Sequence, residues 1–359
     1  MSRQDARSIY LTDEVVDKLA EVYGKTIEAV QKAALSEKLK NKNYSGDPIS
    51  GSVEINRFAN AKVNPLGTAR TAGAGNKLKN SGKVTIKVNV DKEIVEEVAK
   101  KDLDLHSADQ IAEQRQKNHV LRMAADLDRT FFGVMENAGT LVSVAGTKIQ
   151  DKLEELIQSV ETTVNEWVDG VDRELLVLTV TPKIYGDLEN YIDSIPNPIN
   201  GVNDEVFHRV KIYPNFRQTV DAICSIDGAA GQLVLSDTYG LDKIPLSNDY
   251  ALELFYSRGT EAVMPDLIKM FVLNAFAAAK TSENIEIAGD PVEIGLSHAI
   301  GAVTATVPEA AAGKLVATIA DDNSKVTFEA ETGLTAGSYS VVLKDSKGQT
   351  VTIALTAAE

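Results

Sequence analysis

In Val84-Thr85-Ile86-Lys87-Val88-Asn89-Val90 the apolar side chains fall on even positions and the polar ones on odd, as in a half-buried strand. Residues 52–59 alternate in the same way, so the two segments read as arms of a hairpin. About two dozen residues join them, far more than a usual hairpin loop, and loops of that length are more often functional than structural. Gly67, Gly73, Gly75 and Gly82 make the connection compliant. Upstream, residues 12–42 follow a helical period. Thr12 can cap that helix, Asp13 and Glu14 occupy its positive first turn, and Val15, Leu19, Val22, Ile27, Val30 and Leu35 form its stripe. Gly24 marks a bend, and residues 41–51 form a turn-rich linker.

Beyond the hairpin, residues 91–102 fit a short helix and residues 107–137 a much longer one. Ser107 can cap the latter, and Ile111, Val120, Leu121, Ala124, Leu127, Phe131 and Val134 give it an apolar stripe. A further amphipathic helix is expected over 149–167. The near-continuous apolar run 174–180 suits a strand buried on both faces. Thr181-Pro182-Lys183 then opens a helix through Tyr191, with proline tolerated in the first turn. Residues 194–201 form a loop. Short strands follow at 210–213, 222–226 and 232–235, and segments 250–258 and 262–277 complete this body.

The composition changes at residue 284. The last seventy-five residues contain no Arg, Cys, Trp or Met, and carry four Lys against ten Asp and Glu. Alternating segments at 292–296, 302–307, 314–319, 325–330, 338–344 and 350–355 are separated by turn formers. They predict a separate small β-sandwich.

Charge sharpens the picture of the hairpin. From Ile55 to Val90 there is no acidic residue, although the chain as a whole carries −15. The stretch holds seven cations, Arg57, Lys62, Arg70, Lys77, Lys79, Lys83 and Lys87, leaving −15 − 7 = −22 for everything else. A loop that is merely solvated mixes both signs. This one is suited to lie on an acidic surface, and another copy of the chain offers one. The acidic remainder argues against broad nucleic-acid binding.

Little chemistry emerges elsewhere. Gly82-Lys83 fails the phosphate-loop pattern, with Lys77 and Val84 where Gly and Ser or Thr are required and a strand following. Gly73-Ala74-Gly75 fails the dinucleotide fingerprint at Leu78. His106, His119, His208 and His298 are scattered without metal-ligand spacing, and His119 is expected to be solvated or interfacial. Glu154-Glu155 and Asp187 with Glu189 are expected as exposed helix-face charges. Trp167 and Phe131-Phe132 are expected as packing residues. Cys224, the single cysteine, fits a small buried strand residue. No catalytic residue, metal ligand or cofactor is expected, no apolar run is long enough to span a membrane, and no secretory signal is visible.

The order of these parts resembles the major capsid protein of tailed bacteriophages, a fold shared with encapsulins and herpesvirus capsid floors. Residues 51–90 correspond to its extended loop and 107–137 to its spine helix. Leu175-Leu176-Val177-Leu178-Thr179-Val180-Thr181-Pro182-Lys183-Ile184-Tyr185 resembles the strand-then-helix start of the axial domain, and Val263-Met264-Pro265 the return to the peripheral domain. The resemblance implies an α+β fold. Its parts would be an N-terminal arm (1–50), an extended loop (51–90), a peripheral domain with the spine helix (91–149), an axial domain (150–262) and a return segment (263–283). An all-β immunoglobulin-like sandwich (284–359) would be appended. It further implies self-assembly into hexamers and pentamers, with the seven cations meeting a neighbour. A separate scaffolding protein, a portal and DNA packaged without sequence-specific contact would be its partners in a virion assembled in the host cytoplasm. Some relatives cross-link their loops through a Lys–Asn isopeptide, but no such bond is expected here. The alternatives are an encapsulin-like compartment and, from another class, a surface adhesin or carbohydrate-binding protein.

Overall fold

The computed structural model describes residues 29–30, 32–46, 51–61, 63–68, 82–100, 108–193, 206–244, 247 and 249–358. It is an α+β protein ending in a two-sheet β-sandwich. Most of the helix expected over 12–42 lies outside the described residues, as do Gly24 and the 194–201 loop. Residues 29–30 and 32–33 are helical, and a four-residue helix, α1 (Ser36–Leu39), follows.

The hairpin arms are β1 (Ser52–Ile55) and β2 (Val84–Lys87), antiparallel and shorter than the alternation suggested. Next comes β3 (Val90–Val98), where the sequence pointed to a helix. Val90, Ile94 and Val98 are spaced by four, which satisfies a helical period and a strand period equally. Pairing decides between them, because β3 runs antiparallel to β10 (Tyr250–Ala262) over nine residues, from Val90 opposite Arg258 to Val98 opposite Tyr250. β9 (Ala230–Lys243) pairs with the other side of β10.

The spine is α2 (Ala108–Ala138), thirty-one residues long and so about 46 Å. Val120, Met123, Ala124, Leu127, Phe131 and Met135 are buried along it at three- and four-residue steps. The first half packs on Val98, Leu252, Leu254 and Tyr256, and the second on Val177, Val220, Ile223 and Met270. Leu121, expected in the stripe, is 57% exposed, because it lies off that face. Three carboxylates fix what the spine touches. Asp126 accepts from Arg258 Nε (2.6 Å) and Tyr256 Oη (3.0 Å). Asp128, almost wholly buried, accepts from the Leu35 and Ser36 N–H groups (3.2 and 2.8 Å) and pairs with Arg217. It thereby caps α1 from more than ninety residues away. Glu136 accepts from Thr219 N and Oγ1 at 2.6 and 2.5 Å.

The axial body is a six-stranded mixed sheet, with β4 (Thr140–Leu141), β11 (Lys269–Phe271), β8 (Ala222–Ile226), β5 (Leu176–Val180), β7 (Val210–Pro214) and β6 (Val206–Phe207) side by side in that order. All five residues of β5 are buried. Leu176, Leu178 and Val180 meet α3 (Ile149–Glu161) and α4 (Pro182–Asp193), whereas Val177 faces the spine. That two-sided cover explains the unbroken apolar run. α3 stops at Glu161 rather than near 167, as the β-branched Thr162-Thr163-Val164 gives way to a turn closed by a bridge between Val164 and Asp169. Glu154 is no idle surface charge, since it receives Arg173 (2.7 Å) and His208 (2.8 Å). Glu155 accepts from Ala145 N at 2.6 Å.

The sandwich contains the six expected strands, β14 (Val292–Ser297), β15 (Thr304–Thr306), β16 (Leu315–Ile319), β17 (Lys325–Ala330), β18 (Gly337–Lys344) and β19 (Thr350–Ala358). Two more complete its sheets: β12 (Ala277–Ala278), too short to show a period, and β13 (Ser282–Glu286), mostly polar. Alternate residues of β17, β18 and β19 point inward, and Phe276 joins them in the core. The sandwich meets the spine through Ile300, buried with Phe131, Phe132 and Met135, and through a lysine. Lys347 Nζ donates to the carbonyls of Asn137 and Gly139 (2.6 and 2.5 Å), placing a cation at the negative end of a helix whose own last turn has none. Burial pushes the Lys347 ammonium below its ordinary pKa, partly offset by Asp345 and Glu136.

Candidate inter-subunit interface

The hairpin is seated on its own chain before it extends. Val53, Ile55 and Ile86 turn inward and pack with Leu233 and Val263. Glu54 and Lys83 lie outward and pair across the arms, a half-exposed contact that contributes little energy. β2 presses so closely on β10 that a Cβ on Gly259 would sit 1.9 Å from the Lys87 carbonyl oxygen, so no larger residue fits there.

Arg57 behaves differently from a loop cation awaiting a partner. Its guanidinium turns back, donating to both oxygens of Asp266 at 2.5 and 2.7 Å and lying over the Trp167 ring, 5.4 Å from its centroid. Asn165 Nδ2 donates to the same carboxylate at 2.5 Å. Burial alone would raise the Asp266 pKa, but the hydrogen bonds from Arg57 and Asn165 hold it below the usual carboxylate range. Asn165 Oδ1 accepts from the N–H groups of Trp167 and Val168 (2.8 and 2.9 Å), which shapes the turn presenting the ring. The backbone completes the seat, with Arg57 N bonded to Gly82 O (3.1 Å) and Asn60 N to Glu166 O (2.9 Å).

Of the seven expected contact cations, then, the described ones are Arg57, Lys83 and Lys87. Arg57 is committed within the chain and Lys83 is paired with Glu54, whereas Lys87 is exposed with no ion pair to a described residue. Lys62, Arg70, Lys77 and Lys79 lie outside the described residues. The Asn165–Trp167–Asp266 seat escaped the sequence reading. Its one advance signal is the β-branched run that ends α3 early. Further out, Val63 and Leu66 are 100% and 94% exposed, beside a turn in which Thr68 N and Oγ1 donate to Pro65 O (3.1 and 2.8 Å).

A cleft of about 920 Å³ opens between this root and the axial body. Phe58, Val171, Leu175 and Met264 supply its apolar part, and Asp169, Asp172 and Asp227 its charged rim.

The other polar candidates are structural. His119 is fully buried rather than solvated, because Glu96 on the inward face of β3 meets it at 3.0 Å and also pairs with Arg115. His208 stacks on Phe207 at 4.1 Å. Phe131 and Phe132 are core residues in edge-to-face contact. Cys224 is fully buried, which pushes its thiol pKa far up and leaves it unreactive. Among the described residues, no cluster of metal-ligating side chains occurs, and no helix is long and apolar enough to cross a membrane.

A scan against models of protein families finds no match, and a search of curated proteins finds none either. Solved structures do resemble the chain. A chain from Mycobacterium phage Che8 aligns at 14% identity and TM-score 0.46, over 65% of this chain and 93% of its own. A chain from the capsid of cyanophage P-SCSP1u aligns at 14% identity and TM-score 0.48, over 67% and 88% respectively. A chain of a virus-like particle from Pyrococcus furiosus aligns at 13% identity and TM-score 0.47, over 72% and 99%.

Proposed function

We propose that this chain is a major capsid protein of a tailed bacteriophage, assembling through hexamers and pentamers into an icosahedral shell around double-stranded DNA. The observation that carries the reading is the extended loop. It is acid-free on a chain otherwise at −22, it is clamped at its root by Arg57, and beyond that clamp it holds Val63 and Leu66 wholly out in solvent. A single chain gains nothing from ordering such an arm, whereas a neighbour's acidic surface would cover it. The spine supports this role. It is a strut of about 46 Å on which the β3–β10–β9 sheet and the axial sheet pack and whose end meets the sandwich, so strain at one contact is shared across the subunit.

On this reading residues 1–50 are the N-terminal arm, 51–90 the extended loop, 91–149 and 263–283 the peripheral domain, 150–262 the axial domain and 284–359 an immunoglobulin-like appendage. Strands are exchanged at the borders: β4 and β11 complete the axial sheet, β9 and β10 pair with β3, and β12 and β13 start the sandwich before residue 284. The chain acts as a structural subunit without a cofactor, in the virion. A separate scaffolding protein and a portal serve its assembly in the host cytoplasm, and packaged DNA makes no sequence-specific contact. The test is electron microscopy of the expressed protein, alone and with candidate scaffolding proteins. Closed particles are expected, and deleting residues 63–81 should abolish them. Particles formed equally well without those residues would overturn the role given to the loop.

A further inference from the structure

We infer that the cleft at the root of the extended loop is the receptor for the acid-free loop of a neighbouring copy, an inference that rests on the shell-subunit reading. The cleft has the chemistry such a loop needs. Phe58 and Leu175 are 50% and 61% exposed, more than an isolated chain gains by presenting side by side. Asp169, Asp172 and Asp227 rim it, and none is paired with a cation among the described residues. Arg57, the cation that also lines it, is already neutralised by Asp266.

The occupant follows from sign and reach. Residues 63–81 combine two exposed apolar side chains, Val63 and Leu66, with Arg70, Lys77 and Lys79 and no acid. The other segments available for exchange match less well. Residues 1–28 carry four cations against six acids, and the sandwich from residue 285 carries four against ten. Val63 and Leu66 of the chain's own loop stay exposed rather than entering the cleft, which leaves it open to those of a second copy.

The resulting contact is heterologous: one copy gives its loop and the next gives its cleft, whose wall includes Phe58 from the receiver's own loop root. Such a contact repeats head to tail, and it forms rings where the rotation between copies closes.

The experiment uses the full chain with charges reversed on either side. Asp172→Lys with Asp227→Lys alters the cleft, and Lys77→Glu with Lys79→Glu alters the loop. Each pair alone should lower the assembled fraction at least about tenfold at low salt, and mixing the two variants should restore it. Circular dichroism and thermal melting verify that each is folded. A second measurement needs no charge argument: copies carrying Leu66→Cys and Asp172→Cys should form disulfide-linked ladders, since Cys224 is buried. Loop variants that fail while cleft variants assemble normally, with no ladder, would overturn the cleft as receptor yet keep the loop's grip on a neighbour. Normal assembly by both pairs would overturn the grip itself.

Discussion

Replacing Arg57 by Met keeps most of its stem and removes its charge, which isolates what the clamp contributes. Two charge-assisted hydrogen bonds at 2.5 and 2.7 Å are lost, together with the contact over Trp167. A hydrogen bond to a charged group contributes about 1.5–3 kcal/mol, and a cation over an indole about 0.5–2 kcal/mol. These do not add in full, because Asp266 keeps Asn165 as a donor and is still partly reached by water. A loss of about 3 kcal/mol in seating the loop root is therefore expected, which raises its unseated population about a hundredfold. The cost is local, since Arg57 touches neither the spine nor the axial core. Hydrogen exchange checks this directly. The Asn60 amide, bonded to Glu166 O, should lose about two orders of magnitude of protection while amides of β5 keep theirs. Trp167, the single tryptophan, gives an independent signal through its fluorescence. Asp266→Asn should have a similar effect, and the double variant should cost much less than the sum. Unchanged protection at Asn60 would refute the clamp.

Three further outcomes follow from other contacts. Burial would raise the Glu154 pKa, but hydrogen bonds from Arg173, His208 and Gln158 reverse this and hold it near 2, against an ordinary 4.5. A depressed carboxyl stabilises above its unfolded value and loses that contribution as pH falls from about 4.5 to 2. The difference is roughly 3 kcal/mol at full strength, or about 2 kcal/mol allowing for partial exposure. Urea titrations should therefore show the gap between wild type and Glu154→Gln more than halved on going from pH 6 to pH 3. Asp128→Ala strands Arg217 and two N–H groups in the interior and should cost about 3–5 kcal/mol in chemical denaturation, the largest loss of the set. Lys347→Met removes the cation from the end of the spine and should cost about 1–2 kcal/mol. Limited proteolysis should then cut between body and sandwich, near residues 272–275, faster than in wild type.

What the sequence shows of this fold depends on how many physical explanations a pattern admits. The spine is legible because thirty-one residues leave room for only one period, and β17 and β18 are legible because alternation between turns has one reading. β3 is not, because Val90, Ile94 and Val98 satisfy two periods and the deciding partner, β10, lies about 160 residues away. His119 fails for the same reason: next to Arg115 and Arg122 in sequence it looks solvated, and only β3, folded over it, brings Glu96 to close the site. Charge counting locates the hairpin but cannot tell which cations are free. Arg57 and Lys87 contribute equally to the acid-free tally, yet one is bound to Asp266 across 209 residues and the other stands exposed.

That division changes what the tally means. If every cation in the stretch faced a neighbour, the loop could swing at its root, and each contact would have to meet the entropy of ordering the whole arm. With Arg57 spent on the chain's own Asp266 and Trp167, the root is ordered before any neighbour arrives. Only the outer segment remains to be fixed on contact. Preorganisation of this kind raises affinity without adding a contact. The loop therefore needs opposite roles from its cations: the innermost must bind inward so that those beyond it can bind outward. A variant that frees Arg57 should thus weaken assembly even though it adds a cation to the very surface that grips the neighbour. Asp266→Asn is that variant, and assembly unchanged or strengthened by it would show that net charge, rather than the seating of the root, sets the strength of the grip.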